Sequence, residues 1–182
     1  MVGMELPRDS IAVLDSSVLI AMGGPSTDKY QAFERVVMQR DVSVRIPTHV
    51  ADELGESPKT YTYQRDRLRA AQDAGWLDQA PIDFSNPRVS EAIDRTRKRM
   101  LNLSVDDVTE DEIEKTDTVL TGVAYQYAIE QTSHVTVLVS DTIAEQAIDD
   151  VLCAMDVGNE TAVIEGREFL EDLLDKDFEK RR

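Results

Sequence analysis

Four short apolar runs rich in β-branched residues constrain the fold of this chain more than any other feature. They lie at residues 11–14, 42–46, 135–139 and 162–164, and segments with helical periodicity separate them. Strands that alternate with helices in this way are typical of a parallel sheet covered on both faces. The pattern therefore predicts an α/β fold, a three-layer α/β/α sandwich with a central, mainly parallel sheet.

Helices are predicted for most of the chain between these strands. They run from the Asp15-Ser16-Ser17 turn, from a cap at Thr27 or Asp28 to Arg40, from Thr48 to Glu56, from Tyr61 to Ala74, from Val89 to Leu103, up to Thr132, from Thr142 to Met155 and from Arg167 to Phe178. The segment from Pro81 to Pro87 is predicted as a loop, and no strand is predicted between Gly75 and that loop. Because no repeat or low-complexity linker interrupts the pattern, residues 1–182 are interpreted as one domain.

The chain is strongly acidic, with 36 acidic and 20 basic residues and a formal net charge of −16. This sign opposes binding to the phosphates of a nucleic acid. However, only 6 of the 20 basic residues are lysine, and Asp outnumbers Glu 21 to 15, a balance that resembles proteins of salt-loving organisms. The charge is also uneven, because the basic helical segment at about residues 57–105 holds 9 basic and 6 acidic side chains.

The apolar runs and the lone cysteine limit where this protein works. The strongest run, Val135 to Val139, is far too short to cross a bilayer, and residues 1–10 are too charged for a signal peptide. A soluble, cytoplasmic protein with no membrane partner is therefore expected. Because Cys153 is the only cysteine, an internal disulfide and a cysteine-based zinc site are excluded. Its thiol is predicted to be buried and structural.

Two of the predicted strands are followed by an aspartate. Asp15 follows "IAVL" and Asp141 follows "VTVLVS". Ligands of parallel α/β sheets bind at the carboxyl ends of the strands, so these two side chains are expected to be neighbours although they lie far apart in sequence. Carboxylates held close together repel unless a proton or a cation lies between them, and Mg²⁺ and Mn²⁺ prefer oxygen ligands. The sequence therefore predicts a divalent metal at this edge.

Two further acids are candidates for the same edge. Glu53 lies in the predicted helix after the second strand, and Asp117 opens the helix "TDTVLTGVAYQYA". Each has an ordinary explanation, because Asp117 also complements the dipole of a helix N-terminus and Glu53 is flanked by Asp52 and Glu56 as on a solvated helix. Only the joint placement of the four acids at element boundaries favours a site.

Five segments, in this order, resemble the PIN domain of metal-dependent ribonucleases, including VapC-like toxins. They are "VLDSSVLI", "IPTHVADEL", "TDTVLTGVAYQYA", "VTVLVSD" and "AVIEGREFL". The resemblance covers about Ile11 to Leu174 and places the acids of the family at Asp15, Glu53, Asp117 and Asp141, with Ser17 and Ser140 as hydroxyl residues that support the metal site. The chain departs from compact VapC toxins in being longer at its C-terminal end.

The resemblance implies hydrolysis of RNA phosphodiester bonds with Mg²⁺ or Mn²⁺ as cofactor. Asp15, Asp117 and Asp141 would hold one or two ions, with Glu53 as a further ligand or as the base that orients water. It also implies a homodimer, because PIN domains commonly dimerise. If the protein is a toxin, the resemblance further implies an antitoxin protein as its partner. The apolar stripe of the last helix, by contrast, is predicted to cover the core.

The RNA substrate needs positive charge that the acids cannot supply. The segments "YTYQRDRLRA" and "DRTRKRM" are the two basic stretches, and Tyr side chains next to arginine suit unpaired bases. Solvated helix faces with local ion pairs are the alternative explanation. The candidate RNA-binding residues are Tyr61, Tyr63, Arg65, Arg69, Arg95, Lys98 and Arg99.

Other function classes fit the sequence less well. A phosphatase of the α/β type commonly has a second aspartate two residues after the first, where this chain has Ser17. A dinucleotide-binding protein needs a glycine-rich turn directly after the first strand, and Gly23-Gly24 comes too late. A non-catalytic PIN-fold module that binds protein or RNA remains the main alternative.

Overall fold

A computed structural model of the chain describes residues 5–48, 62–104, 115–131 and 133–180, with the backbone alone for residues 62–64 and 115–116. Glu53 and Tyr61, together with the predicted helix from Thr48 to Glu56, therefore fall outside the described residues. Tyr63 lies in a described helix, but its side chain is outside this description.

Five parallel strands form one sheet in the order β3-β2-β1-β4-β5. Their bounds are β1 Ile11–Leu14, β2 Ser43–Pro47, β3 Leu77–Ala80, β4 Val135–Val139 and β5 Thr161–Glu165. β1 lies at the centre, and its four residues are all buried, which explains why its sequence is continuously apolar rather than alternating. The predicted parallel α/β sandwich is confirmed.

Seven helices in the described part of the chain cover the two faces of this sheet. They are α1 Ser16–Met22, α2 Asp28–Arg40, α3 Thr62–Asp73, α4 Pro87–Leu103, α5 Lys115–Glu130, α6 Thr142–Ala154 and α7 Gly166–Lys180. None of them is both long and apolar enough to cross a membrane.

The sheet separates two apolar cores. On one face, α4, α5 and α6 pack against alternate strand residues such as Val13 and Val137. On the other face, α1, α2, α3 and α7 pack against Ala12, Leu14 and Leu138. Because side chains of a strand alternate between the faces, each central strand contributes to both cores and fixes the register of the layers.

Helix α7 lies in the second of these layers. Its Phe169, Leu170 and Leu173 are buried, and the Phe169 ring meets Phe33 of α2 edge-on at 6.2 Å. Phe178, near the C-terminal end of the apolar stripe of α7, is by contrast 61% exposed. The inner part of the apolar stripe is therefore core.

The structure corrects several of the predictions. The segment after Gly75 contains a strand, β3, which was missed because only its end residues Leu77 and Ala80 are buried and the intervening pair is exposed. Cys153 is exposed rather than buried, because it lies on the outer side of α6. Helix α4 also begins two residues earlier than predicted, where Asn86 caps it and Pro87 occupies its first turn.

Candidate functional site

Asp15 lies at the carboxyl end of the central strand and is 6% exposed. Its backbone N–H donates to the Leu138 carbonyl at 3.0 Å, and its own carbonyl accepts from Val18 N in the first turn of α1. Asp15 is the N-cap residue of α1, although its side chain makes no capping hydrogen bond. The carboxylate is thus held by the backbone at the junction of β1, β4 and α1, and its oxygens are left for other partners.

Serine hydroxyls surround that carboxylate. Ser17 Oγ donates to Asp15 Oδ2 at 2.6 Å, and Ser16 Oγ lies 3.4 Å from Oδ1. Ser17 also shares a short hydrogen bond with the hydroxyl of Ser140, which follows β4. The first turn of α1 and the end of β4 therefore meet through side chains as well as through the sheet.

Asp117 is the second buried acid, 5% exposed, in the first turn of α5. This helix packs against β1, β2 and β4, and it ends at Glu130, shortly before β4 begins at the amino edge of the sheet. The N-terminal turn of α5 consequently points toward the carboxyl edge, the edge that carries Asp15. Asp15 and Asp117 therefore lie at the same edge of the sheet, and a shared site for the two acids stays a prediction.

Asp141 follows Ser140 directly but is exposed. Its Oδ1 accepts hydrogen bonds from Ile143 N at 2.7 Å and Ala144 N at 3.3 Å, so this side chain caps α6. Its Oδ2 makes no hydrogen bond with the described residues. Asp141 thus has a structural role as the N-cap of α6. Only its Oδ1 takes part in capping, so Oδ2 is left for another partner.

The donor set suits a hard divalent cation in its chemistry. Asp15 is a buried carboxylate whose described partners are hydroxyls, and it forms no ion pair with any residue of the described ranges. A buried charge without a counter-charge is costly, and Mg²⁺ or Mn²⁺ bound by oxygen ligands would offset it. Within residues 5–48, 62–104, 115–131 and 133–180, however, no three His, Cys, Asp or Glu side chains form a group that could hold a metal.

The candidate RNA-binding residues divide between the two outer layers. Arg65 and Arg69 belong to α3, which packs on α1, whereas Arg95, Lys98 and Arg99 belong to α4 on the opposite face. The two described helices of the basic segment, α3 and α4, therefore do not form one continuous surface, because they lie on opposite faces of the sheet.

The cations of α4 differ in their ion pairs. Arg95 contacts Glu91 at 3.2 Å, and Arg99 Nε donates to Asp150 at 2.8 Å. Lys98 is exposed and forms no ion pair with the described residues, as is also true of Arg69 on α3. Local pairing, the alternative explanation, thus applies to Arg95 and Arg99, while Arg69 and Lys98 present charge that is not offset by a described ion pair.

The direction of α4 places its cations relative to the acids. Arg88 Nε donates to the Tyr125 hydroxyl at 3.2 Å, and further along α4 Thr96 Oγ1 donates to Thr121 Oγ1 at 2.8 Å. The two helices are therefore antiparallel. Because each residue advances a helix by about 1.5 Å, the last turns of α4, with Lys98, lie beside the turn of α5 that carries Asp117.

Sequence reasoning missed a third group of acids near this edge. Glu165 is the last residue of β5, is 9% exposed, and accepts a hydrogen bond from Glu168 N at 2.6 Å. Partial burial, together with repulsion from Glu168, Glu165 and Asp149, raises the pKa of the nearby Glu145. The rule that identified Asp15, an acid directly after a predicted strand, applies equally to Glu165 after the predicted strand 162–164, but only Asp15 and Asp141 were selected by it.

A comparison with family models identifies what this arrangement belongs to. The model described as the halobacterial PIN domain matches residues 8–178. No curated protein and no solved structure gives a significant match. The resemblance to PIN domains is therefore confirmed over nearly the whole chain, and the halobacterial description agrees with the salt-adapted composition.

Proposed function

Because this chain belongs to the halobacterial PIN domain family, we propose that it is a divalent-metal-dependent ribonuclease whose active site lies at the carboxyl edge of the sheet. PIN domains are generally nucleases, and the observation that carries the proposal here is the buried Asp15 carboxylate with hydroxyl partners from Ser17 and Ser16. A buried acid in such surroundings has no evident role in stability, since nothing described neutralises it.

Asp15 and Asp117 are the buried ligands in this proposal, and the resemblance adds Asp141 and Glu53, although the described acids of this set do not form a group that could hold a metal in this structure. Mg²⁺ or Mn²⁺, when bound, supplies Lewis acidity at the phosphate and lowers the pKa of a coordinated water. Ser17 orients Asp15 through its 2.6 Å hydrogen bond, and Ser140 orients Ser17 in turn. The serines act as positioning residues, because their hydroxyls fix the direction of the carboxylate oxygens.

Substrate binding is assigned to the exposed cations that flank this edge. Lys98 lies in the half of α4 that is beside Asp117, and Arg69 on α3 adds exposed positive charge to the other layer. Arg65, Arg95 and Arg99 belong to the same helices, and exposed ion pairs such as Arg95–Glu91 cost little to exchange for a phosphate. Tyr61 and Tyr63 remain candidates for base stacking.

The test is cleavage of a labelled mixed RNA pool by the purified protein with Mn²⁺, with Mg²⁺ or with EDTA, at the salt concentration that keeps the protein folded. We expect metal-dependent cuts that Asp15→Asn abolishes. Asp175→Asn is the matched control, because Asp175 is exposed near the C-terminal end of α7. If wild-type protein binds RNA but leaves it intact in every metal, a non-catalytic PIN-fold module is the correct description.

The biological role is tested separately, because a toxin and an RNA-processing nuclease share this chemistry. Induced expression in a salt-tolerant host, with Asp15→Asn as control, measures growth directly. Growth arrest that needs Asp15, relieved by a co-expressed antitoxin protein, would indicate a toxin. Unimpaired growth with altered RNA processing would indicate the second role.

A further inference from the structure

Strand β5 forms one end of the sheet. It pairs with β4 in continuous parallel register from Thr161 opposite Val135 to Glu165 opposite Val139. In the part of the chain that the structure describes, no strand pairs with its other side. One row of its backbone groups is therefore directed away from the sheet.

The register identifies which groups those are. Val135 N donates to the Glu160 carbonyl at 2.9 Å, so the backbone of Glu160 is directed toward β4. Because successive residues of a strand alternate in direction, Ala162 and Ile164 also bond to β4. The N–H and C=O groups of Thr161 and Val163 consequently face outward, where an added strand could pair with them.

Edge strands usually carry features that prevent pairing with other chains, such as lysine, proline, bulges or exposed charge. Strand β3 at the opposite end of the sheet has exposed Asp78 and Gln79 at its centre. Strand β5 has the sequence TAVIE, its three central residues are apolar and half-buried, and its register has no bulge. Among the described residues, β5 therefore presents the less protected of the two outer strands of this sheet.

Acidic side chains lie close together at the carboxyl end of strand β5. Glu145 comes from α6, Glu165 from β5 and Glu168 from α7, so both layers contribute. Their mutual repulsion adds to the effect of burial in raising the pKa of Glu145. None of the three forms an ion pair with a residue that the structure describes. This charge opposes a nucleic acid and favours a basic partner.

We propose that the outer edge of β5 binds an extended segment of a partner protein as an additional parallel or antiparallel strand, and that this segment carries Lys or Arg at the end near Glu145, Glu165 and Glu168. The backbone of Thr161 and Val163 supplies the hydrogen bonds, and the acids supply charge selectivity. A second copy of this chain is the less suitable occupant, since each copy has a net charge of −16. The inference goes beyond the proposed nuclease activity and does not depend on it.

The probe is a ten-residue peptide that alternates Val with Lys, and the control peptide has Glu in place of each Lys. Binding is measured by calorimetry with the full chain, and the affected amides are located by hydrogen exchange. We expect the Lys peptide to bind and to slow exchange at Thr161 and Val163, whereas the Glu peptide does not bind. Val163→Pro removes an outward N–H without removing a bond to β4, and it should weaken binding by about tenfold or more.

A charge variant separates strand pairing from unspecific attraction. The double change Glu145→Gln and Glu168→Gln should weaken binding and reduce its salt dependence, whereas Glu179→Gln, at the exposed far end of α7, should not. Unchanged binding by Val163→Pro, with folding confirmed by circular dichroism, would overturn the proposal. So would absence of binding by the wild type, slowed exchange elsewhere instead of at β5, or slowed exchange at β5 caused by single-stranded RNA.

Discussion

Ser17 and Ser140 are 123 residues apart in the chain, yet their hydroxyls share a hydrogen bond at the carboxyl edge of the sheet. Ser17 also donates to Asp15, so a continuous connection runs from the end of β4 to the buried carboxylate. This relationship gives the two serines a physical role, since it fixes which way the oxygens of Asp15 point.

Removing the Ser17 hydroxyl should therefore weaken metal binding more than it weakens the fold. We expect Ser17→Ala to lower Mn²⁺ affinity by about 10- to 100-fold, the usual effect of losing a partner that orients a metal ligand. Calorimetric titration with Mn²⁺ measures this directly. Ser43→Ala is the matched control, because Ser43 is exposed at the amino end of β2. Equal losses in the two variants would contradict the assigned role.

The start of α7 should tolerate no side chain larger than hydrogen. A Cβ added to Gly166 would lie 2.5 Å from Val18 Cγ2 on α1, so Gly166→Ala must displace the helix that begins after Asp15. We expect a loss of about 1–3 kcal/mol in the free energy of unfolding, as for other overpacked cores. Urea denaturation measures it. Gly24→Ala, with no atom within 4 Å of the added carbon, should be nearly neutral, and Val18→Ala should partly rescue Gly166→Ala.

The raised pKa of Glu145 makes the fold less stable as the pH rises. A carboxyl whose pKa is higher in the folded state than in the unfolded state binds more protons when folded, so the free energy of unfolding falls as the pH passes upward from its ordinary value of 4.5. Glu145→Gln removes this loss. Urea denaturation at constant salt between about pH 4 and about pH 7 should show a smaller decline in the variant than in the wild type. Glu179→Gln should follow the wild type.

The exposed cations on the two outer layers should contribute to RNA binding whatever the nucleotide sequence of the RNA. Arg69→Ala and Lys98→Ala are each expected to reduce affinity for single-stranded RNA uniformly and to lower the slope of log affinity against log salt by about 1. Fluorescence anisotropy over a salt series, in Asp15→Asn to prevent cleavage, measures both quantities. Lys180→Ala at the far end of α7 is the control. If only Lys180→Ala changes the slope, RNA does not cross the carboxyl edge.

Local sequence patterns predict the central part of this fold well and its margins less well. β1 and β4 are buried on both faces, so their continuous apolar runs are unambiguous. β3 lies at one end of the sheet and needs only two buried residues, which leaves little pattern to detect. Cys153 was predicted as buried because residue type alone does not tell which side of a helix faces the core.

The candidate site shows a similar division. The rule that acids at strand ends form a site selected Asp15 and Asp141, but it did not reveal that Asp141 caps α6. Pairing of Ser17 with Ser140 depends on tertiary structure, since the two residues are 123 positions apart in the chain. Glu53 stays a prediction from the resemblance, because it lies outside the described residues.

The location of a bound metal is the most direct test of the account. In a ¹⁵N-labelled sample, substoichiometric Mn²⁺ broadens the amide signals close to its binding site. We predict selective broadening at Asp15, Ser17, Asp117 and Ser140, while the amide signal of Asp175 stays sharp. Broadening centred on Glu145 and Glu168, or spread evenly over the acidic surface, would contradict a metal site at the end of the central strand.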